Sequence, residues 1–233
     1  MSVRVLVRTV SELCVTVGTL IVLFVVYVLF WTGVKADRAM DDQIDRLQDR
    51  WAEQSLAARD GKDGGAAPLL AKETGPYEDG EPFAVMYIPR FGFTWNKPVL
   101  QGTATDTLKK GLGHYARTAR LGQRGNFAVA GHRRTYGDPF KDFPALRPGD
   151  AVVLTDGTTW FTYRIDKKPY KTLPSDIGVV DPVPRGSGYR APGRYLTLTT
   201  CEPEWGHSHR LIAWAHLDAT QPVDAGKPEA LRR

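Results

Sequence analysis

The chain has 233 residues, of which 42% are hydrophobic, and a formal net charge of +5. This length is enough for one folded domain plus accessory segments. The basic residues are scattered singly, without the Lys/Arg blocks or interleaved aromatic residues of a nucleic-acid groove, so we expect no nucleic-acid partner. Of the two cysteines, Cys14 lies in an apolar N-terminal run, so it cannot pair with Cys201, which excludes a disulfide scaffold.

An uncharged run from Leu13 to Val34 is the first element of the chain. Its 22 residues span a bilayer core of about 30 Å at about 1.5 Å per residue, which predicts a transmembrane anchor over 13–34. Arg4 and Arg8 precede the run, and the segment after it is net acidic. The positive-inside bias therefore predicts a cytoplasmic N-terminus, 1–12, and places everything after Lys35 outside the cell.

Residues 35–80 are predicted to form a helical stem followed by a flexible linker. Met40, Ile44, Leu47 and Trp51 recur at helical spacing, and we expect a solvated stalk, with a short coiled-coil contact as the alternative. Periodicity is lost in the Gly- and Asp-rich stretch after Arg59, which predicts a flexible linker over 60–80. The Pro-containing tail, 221–233, is expected to be loose.

The domain between the linker and the tail, residues 81–220, has the pattern of a small all-β protein. Short β-prone runs predict seven or eight strands with little helix, and hence a single barrel or sandwich. The runs cover 83–88, 97–101, 126–130, 151–154, 158–170, 195–200 and 210–217, with a brief helix over 105–110.

Two of these strands place reactive groups together. The strand 195–200 ends in Cys201 at a Glu-Pro turn, and the next strand begins with Arg210. A hairpin would set the thiol and the guanidinium side by side, while the strand 126–130 delivers His132 at its own end. A thiolate nucleophile, a histidine that transfers a proton and an arginine that holds a developing oxyanion together indicate acyl transfer.

Each of these residues also has a plainer interpretation. A lone cysteine in a strand is commonly a small buried hydrophobe, and His132 or His114 alone would be structural. Cys201, His207 and His209 could instead form a Cys-His-His metal site, although the spacing is unusual for zinc.

The run Thr197-Leu-Thr-Thr-Cys201, with Arg210 in the following strand, resembles the TLxTC motif of sortases. Ala130-Gly-His-Arg133 and the preceding Gly113-His-Tyr115 segment also resemble that family, and Cys201-Glu-Pro203 looks most like the actinobacterial class E group. The resemblance implies an eight-stranded β-barrel with short helices, preceded by one transmembrane helix. It also implies that Cys201 is the nucleophile, His132 the acid and Arg210 the oxyanion or substrate-positioning group.

The resemblance further implies a cysteine transpeptidase at the surface of Gram-positive cells, needing no cofactor and no metal. Such an enzyme cleaves a C-terminal sorting signal of LAxTG or LPxTG type between Thr and Gly, and Thr200 and Glu202 would contact this substrate. Its partners would be surface proteins that bear the signal and a lipid-linked peptidoglycan precursor that supplies the acceptor amine. A pilin-polymerising sortase and a membrane-tethered metal-binding or adhesive module are the alternatives.

Overall fold

A computed structural model of the chain describes residues 3–60 and 76–232. The α-helices are α1 (Val3–Asp60) and α2 (Thr105–Leu108). The strands are β1 (Pro82–Tyr87), β2 (Asn96–Gln101), β3 (Leu112–His114), β4 (Gly125–Ala130), β5 (Ala151–Thr155), β6 (Thr159–Ile165), β7 (Tyr170–Thr172), β8 (Arg194–Glu202) and β9 (His209–Pro222). The predicted run 158–170 thus divides into β6 and the start of β7.

Eight of these strands close into a barrel. They follow the order β6-β5-β1-β2-β3-β4-β8-β9, and β9 pairs with β6 to complete the ring. The short ninth strand, β7, pairs with the same edge of β9 beyond β6. The eight-stranded barrel expected from the sequence is therefore present, with β7 as an addition.

Successive side chains along each strand point alternately into the barrel and away from it. On β1, Met86 packs into the barrel interior, whereas Val85 packs outward against α1. On β8, Leu198 belongs to the interior core, while the hydroxyl of Thr197 reaches Asn126 and the carbonyl of Val179. The long connection between β7 and β8, which contains Val179, therefore covers part of the outer face of β8 and β9.

Helix α1 continues without interruption from the apolar N-terminal run into the predicted stem. Its stretch Val3–Tyr27 is long and apolar enough to cross a membrane, with a mean hydropathy of 2.2 and no part of its most apolar window buried against the rest of the chain. At about 1.5 Å per residue, the 58 residues of α1 extend over about 87 Å. The apolar N-terminal stretch and the stem are consequently one helix.

The stem differs from the solvated stalk that we expected. Ile44 and Leu47 are buried against Val85 of β1, and the Nη2 of Arg50 donates a hydrogen bond of 2.6 Å to the carbonyl of Pro82. The Trp51 ring lies against Gly157 in the β5–β6 turn, where a side chain would collide with it. The stripe is helical as predicted, but it packs on the barrel of its own chain.

The segments that flank the barrel also differ from expectation where the structure describes them. Most of the predicted linker, 61–75, lies outside the described residues. Within 76–80, Tyr77 stacks on Phe83 with ring centroids 3.7 Å apart, and Gly80 donates a hydrogen bond to Gln101. The tail is packed rather than loose up to residue 232, because β9 runs to Pro222 and three apolar residues of the tail pack on the outer side of β5 and β6: Val223, Ala230 and Leu231.

We expect Leu47→Ala to weaken the attachment of α1 to the barrel. Removing a fully buried leucine side chain costs about 2–4 kcal/mol when the cavity does not collapse. Amide hydrogen exchange over 40–51 in detergent-solubilised protein should therefore accelerate, with a lower melting temperature. The exposed neighbour provides the control, and Gln48→Ala should change neither measurement. Equal exchange rates in the two variants would contradict the packing of this helix.

Candidate active site

Cys201 and Arg210 lie directly opposite each other on neighbouring antiparallel strands. They are register partners in the β8–β9 ladder, so their side chains project from the same face of the sheet. The Nη1 of Arg210 donates hydrogen bonds of 3.0 Å to the carbonyls of His207 and His209 in its own hairpin loop. These two bonds fix one side of the guanidinium to the hairpin loop, and the register of Cys201 with Arg210 agrees with the hairpin predicted from the sequence.

His132 reaches the same place from the other side of β8. Strands β4 and β8 pair in parallel, with Ala130 opposite Thr199, so both strands end at the same edge of the barrel. The pairing continues as Gly131 donates a hydrogen bond of 3.1 Å to the carbonyl of Thr199. His132 follows Ala130 by two residues and Cys201 follows Thr199 by two residues, so both lie at this edge. The sheet thus brings the three predicted catalytic residues to the ends of three adjacent strands, in the order His132, Cys201, Arg210.

The surroundings of His132 favour its neutral form. Burial of the ring lowers its pKa below the ordinary histidine value, and the positive charge of Lys109 lowers it further. The Nε2 atom is buried, and the residues that the structure describes offer it no hydrogen-bond partner. A neutral imidazole with this nitrogen available is suited to accept a proton from a thiol and pass it on.

Two ion pairs connect the loop after His132 with the loop after Cys201. The buried guanidinium of Arg133 pairs with the carboxylate of Glu202, and its Nη1 lies 3.4 Å from the carbonyl of Cys201. Arg134 lies 3.0 Å from a carboxylate oxygen of Glu204, and its guanidinium stacks over the Trp205 ring at 4.6 Å. Sequence analysis did not identify these connections, although two arginines after His132 and two glutamates after Cys201 are a signal that could have indicated them.

The two residues that we predicted to bind substrate are engaged with the protein itself. The Thr200 side chain is buried, and its hydroxyl donates a hydrogen bond of 2.8 Å to the carbonyl of Gly131. The Glu202 carboxylate is held by Arg133. On the face of β8 that carries Cys201, the hydroxyl of Thr199 lies 3.0 Å from that of Tyr115, a polar contact that the sequence alone did not suggest.

The other histidines do not join this group. His114 is buried on the opposite side of the barrel wall, stacked on Phe127 and 2.7 Å from the side-chain oxygen of Gln101. His207 lies exposed in the β8–β9 loop, and His209 contacts Ser208. Among the residues whose side chains the structure describes, which include Cys201, His207 and His209, no three His, Cys, Asp or Glu are arranged to hold a metal ion.

Comparison with known proteins identifies the family of the chain. A sequence model described as "Sortase domain" matches residues 86–218, which is more than half of the chain. The chain belongs to the sortase family. The resemblance to sortases seen in the sequence motifs is therefore confirmed.

Several proteins similar to this sortase carry sortase E names. It is 37% identical over 231 residues to Sortase SrtE1 of Streptomyces coelicolor, covering 96% of this chain and 60% of that protein, so it spans less than two thirds of that relative. Among solved structures, sortase E from Streptomyces avermitilis is 79% identical, with a TM-score of 0.64, and covers 67% of this chain and 100% of its own. Sortase E1 of S. coelicolor with a tripeptide in the active site is 38% identical, with a TM-score of 0.62, and the match covers 66% of this chain and 98% of that one.

We expect His114 to make the fold of this sortase sensitive to acid. Burial, with a smaller effect of the Arg120 charge, lowers the pKa of His114 to about 4. The unfolded chain therefore binds this proton first, and the free energy of unfolding should fall as the pH decreases from about 6.5 towards 4, by roughly 3 kcal/mol in all. In His114→Gln this part of the pH dependence should disappear from denaturant unfolding curves, whereas His207→Gln, on the exposed loop, should retain it. An unchanged slope in His114→Gln would show that other groups cause the acid sensitivity.

Proposed function

We propose that this sortase cleaves a C-terminal sorting signal of LAxTG or LPxTG type between Thr and Gly and transfers the carbonyl end to an amine of a peptidoglycan precursor. The observation that carries the proposal is the placement of Cys201 between His132 and Arg210 at one edge of the barrel. Membership of the sortase family and the tripeptide in the active site of the S. coelicolor sortase E1 structure support a peptide substrate.

The first half of the reaction forms a thioester. His132 takes the proton of the Cys201 thiol, and the thiolate attacks the carbonyl carbon of the scissile Thr–Gly bond. The electron pair of the carbonyl moves onto its oxygen, which Arg210 holds while the charge develops. When the tetrahedral intermediate collapses, the C–N bond breaks and protonated His132 gives its proton to the departing glycine amine. Because the pKa of His132 is lowered, its imidazolium form releases this proton readily.

The second half reverses the proton movements. An acceptor amine attacks the thioester carbonyl, neutral His132 takes the proton of the amine, and the C–S bond breaks as Cys201 leaves and recovers a proton. We assign the Nε and Nη2 side of Arg210 to the carbonyl oxygen, because Nη1 is held by the hairpin carbonyls.

Thr200 and Glu202 receive a different role from the one that the family resemblance implied. Since the hydroxyl of Thr200 binds Gly131 and the carboxylate of Glu202 binds Arg133, we propose that both hold the His132 and Cys201 loops together. They would influence the substrate through the position of these loops and not by direct contact.

We also propose that α1 anchors the enzyme in the cell membrane with its N-terminus in the cytoplasm and the barrel outside. The apolar stretch Val3–Tyr27 supports the anchor, and the position of Arg4 and Arg8 supports the orientation. Protease added to intact cells should then remove the barrel and leave a small protected N-terminal piece. Protection of the whole chain until lysis would contradict this orientation.

The covalent mechanism is tested with Cys201→Ala. This variant should lose both cleavage and transfer when the full chain in detergent is incubated with LPxTG- and LAxTG-type peptides and an amine, with products followed by mass. Cys14→Ala removes the only other cysteine and should leave activity unchanged, since Cys14 lies in α1, remote from the barrel edge. Turnover by Cys201→Ala above the uncatalysed background would exclude a thioester at this residue.

Arg210→Lys tests the oxyanion role. A lysine retains the charge but not the planar fork, and loss of one oxyanion donor costs about 10²–10³ in kcat. We expect a fall of about this factor in kcat/KM for peptide cleavage, carried by kcat, with little change in melting temperature. The matched control is Arg164→Lys, another surface arginine of the sheet that pairs with Asp218. An Arg210→Lys enzyme within a few-fold of the wild type would contradict the assignment.

A further inference from the structure

The outer half of α1, residues 35–60, contacts the loop after β4 that carries His132. Met40 is only 1% exposed, and its methyl group lies under the main chain of Gly137. A Cβ atom at Gly137 would stand 2.4 Å from Met40 Cε and 2.7 Å from Asp37 Oδ1, and the residue has a φ of +79°. The positive φ favours glycine, and a larger residue would displace the ends of the Met40 and Asp37 side chains, so the loop rests directly on the helix.

Tyr136 connects the contact at Gly137 with the ring of His132. Tyr136, which precedes Gly137, also has a positive φ of 54°, a conformation that a tyrosine keeps only when its surroundings impose it. Its ring lies against that of His132 with centroids 5.0 Å apart. Lys109 approaches the Tyr136 ring at 5.8 Å. The histidine ring is thus packed against a tyrosine whose backbone is held in place from below by α1.

The base of the same loop is held by the barrel. The amide of Phe140 donates a hydrogen bond of 3.0 Å to the carbonyl of His132, and the Phe140 ring is fully buried in the core. The helix in turn is tied to the barrel at this level, because Asp37 lies 3.5 Å from Lys97 of β2. The loop is therefore fixed to the barrel at Phe140, whereas the position of its tip, at Gly137, depends on Met40 and Asp37.

We propose that the outer half of α1 positions the His132 loop, through Met40 and Asp37 beneath Gly137, and so contributes to catalysis as well as to attachment. This inference rests on the proposed function, in which His132 transfers the proton. Met40 lies six residues beyond Val34, about 9 Å along the helix from the end of the predicted membrane span. The segment that leaves the membrane is thus the one that supports the catalytic histidine.

The test compares two truncations on the same helix face in the full chain in detergent. In Met40→Ala the loop tip loses its support, and we expect kcat for cleavage of a short signal peptide to fall about tenfold, since small displacements of a catalytic group are costly. KM should change little, because the loss concerns proton transfer. Ile44→Ala removes a similar buried side chain that packs on Val85 instead of the loop, so it should lower the melting temperature comparably and leave kcat within about twofold of the wild type. Met40→Leu should restore most of the rate, because it conserves volume.

A second pair of variants covers the case in which Met40→Ala does not fold. The Asp37 side chain is 57% exposed, so Asp37→Ala should fold, and we expect a smaller loss of kcat than in Met40→Ala. Asp41→Ala, an exposed carboxylate one turn further on, should have no effect. The proposal is overturned if kcat is the same in Met40→Ala as in Ile44→Ala, or, where Met40→Ala is unfolded, the same in Asp37→Ala as in Asp41→Ala. Persistent turnover in Cys201→Ala would instead refute the proposed function, and the two failures are therefore distinguishable.

Discussion

The parallel pairing of β4 with β8 is the constraint on which the rest of the site depends. Parallel neighbours run in the same direction, so the two strands end at the same edge of the barrel and deliver His132 and Cys201 together. The antiparallel pairing of β8 with β9 then returns the chain to the same edge and adds Arg210 opposite Cys201. A slip of one residue in either ladder would turn the thiol to the other face of the sheet. The side-chain hydroxyl of Thr200 in β8 adds a hydrogen bond to the carbonyl of Gly131, the residue that follows β4.

Charge pairing maintains this geometry where the ladders end. Beyond Ala130 and Glu202 the chain enters loops that no longer have regular strand partners, and Arg133 and Arg134 connect the two loops through Glu202, Glu204 and Trp205. Because the Arg133 side chain is buried, its charge needs the carboxylate of Glu202, and the loss of either partner would leave an uncompensated charge. The loops that carry the thiol and the imidazole are thus held to each other as well as to the barrel.

Besides the tail on β5 and β6, two segments cover the outer face of the barrel, and both extend towards the active-site edge. The connection between β7 and β8 packs over Ile212 and Trp214 of β9, close to Arg210. On the other side, α1 packs over Val85 of β1 and extends to the loop of His132. The apolar stripe of the stem would be exposed to water on an isolated stalk, but here it packs on the barrel. The outer half of α1 and the barrel therefore form one structural unit in this sortase.

The sequence by itself determined most of the strands, the family and the identity of the three catalytic candidates. Strand periodicity, turn residues and the motif around Cys201 are local properties, and each could be read from a few neighbouring residues. The ends of β8 and β9 were close enough in sequence for a hairpin to predict the pairing of Cys201 with Arg210. His132 was assigned through its motif, although its approach to Cys201 depends on strands that are about 70 residues apart.

Only the tertiary structure decided what the apolar stripe of the stem contacts, how the tail packs and where the charges around Cys201 are neutralised. A helical stripe shows that a face will be buried, but not whether a second helix or the barrel of the same chain buries it. In the same way, Thr200 and Glu202 are polar residues beside a nucleophile, and their sequence position is equally compatible with substrate contact and with structural support. Their partners, Gly131 and Arg133, lie far along the chain and meet them only when β4 pairs with β8. Such long-range contacts depend on the register of the whole sheet, which no local pattern of residues contains.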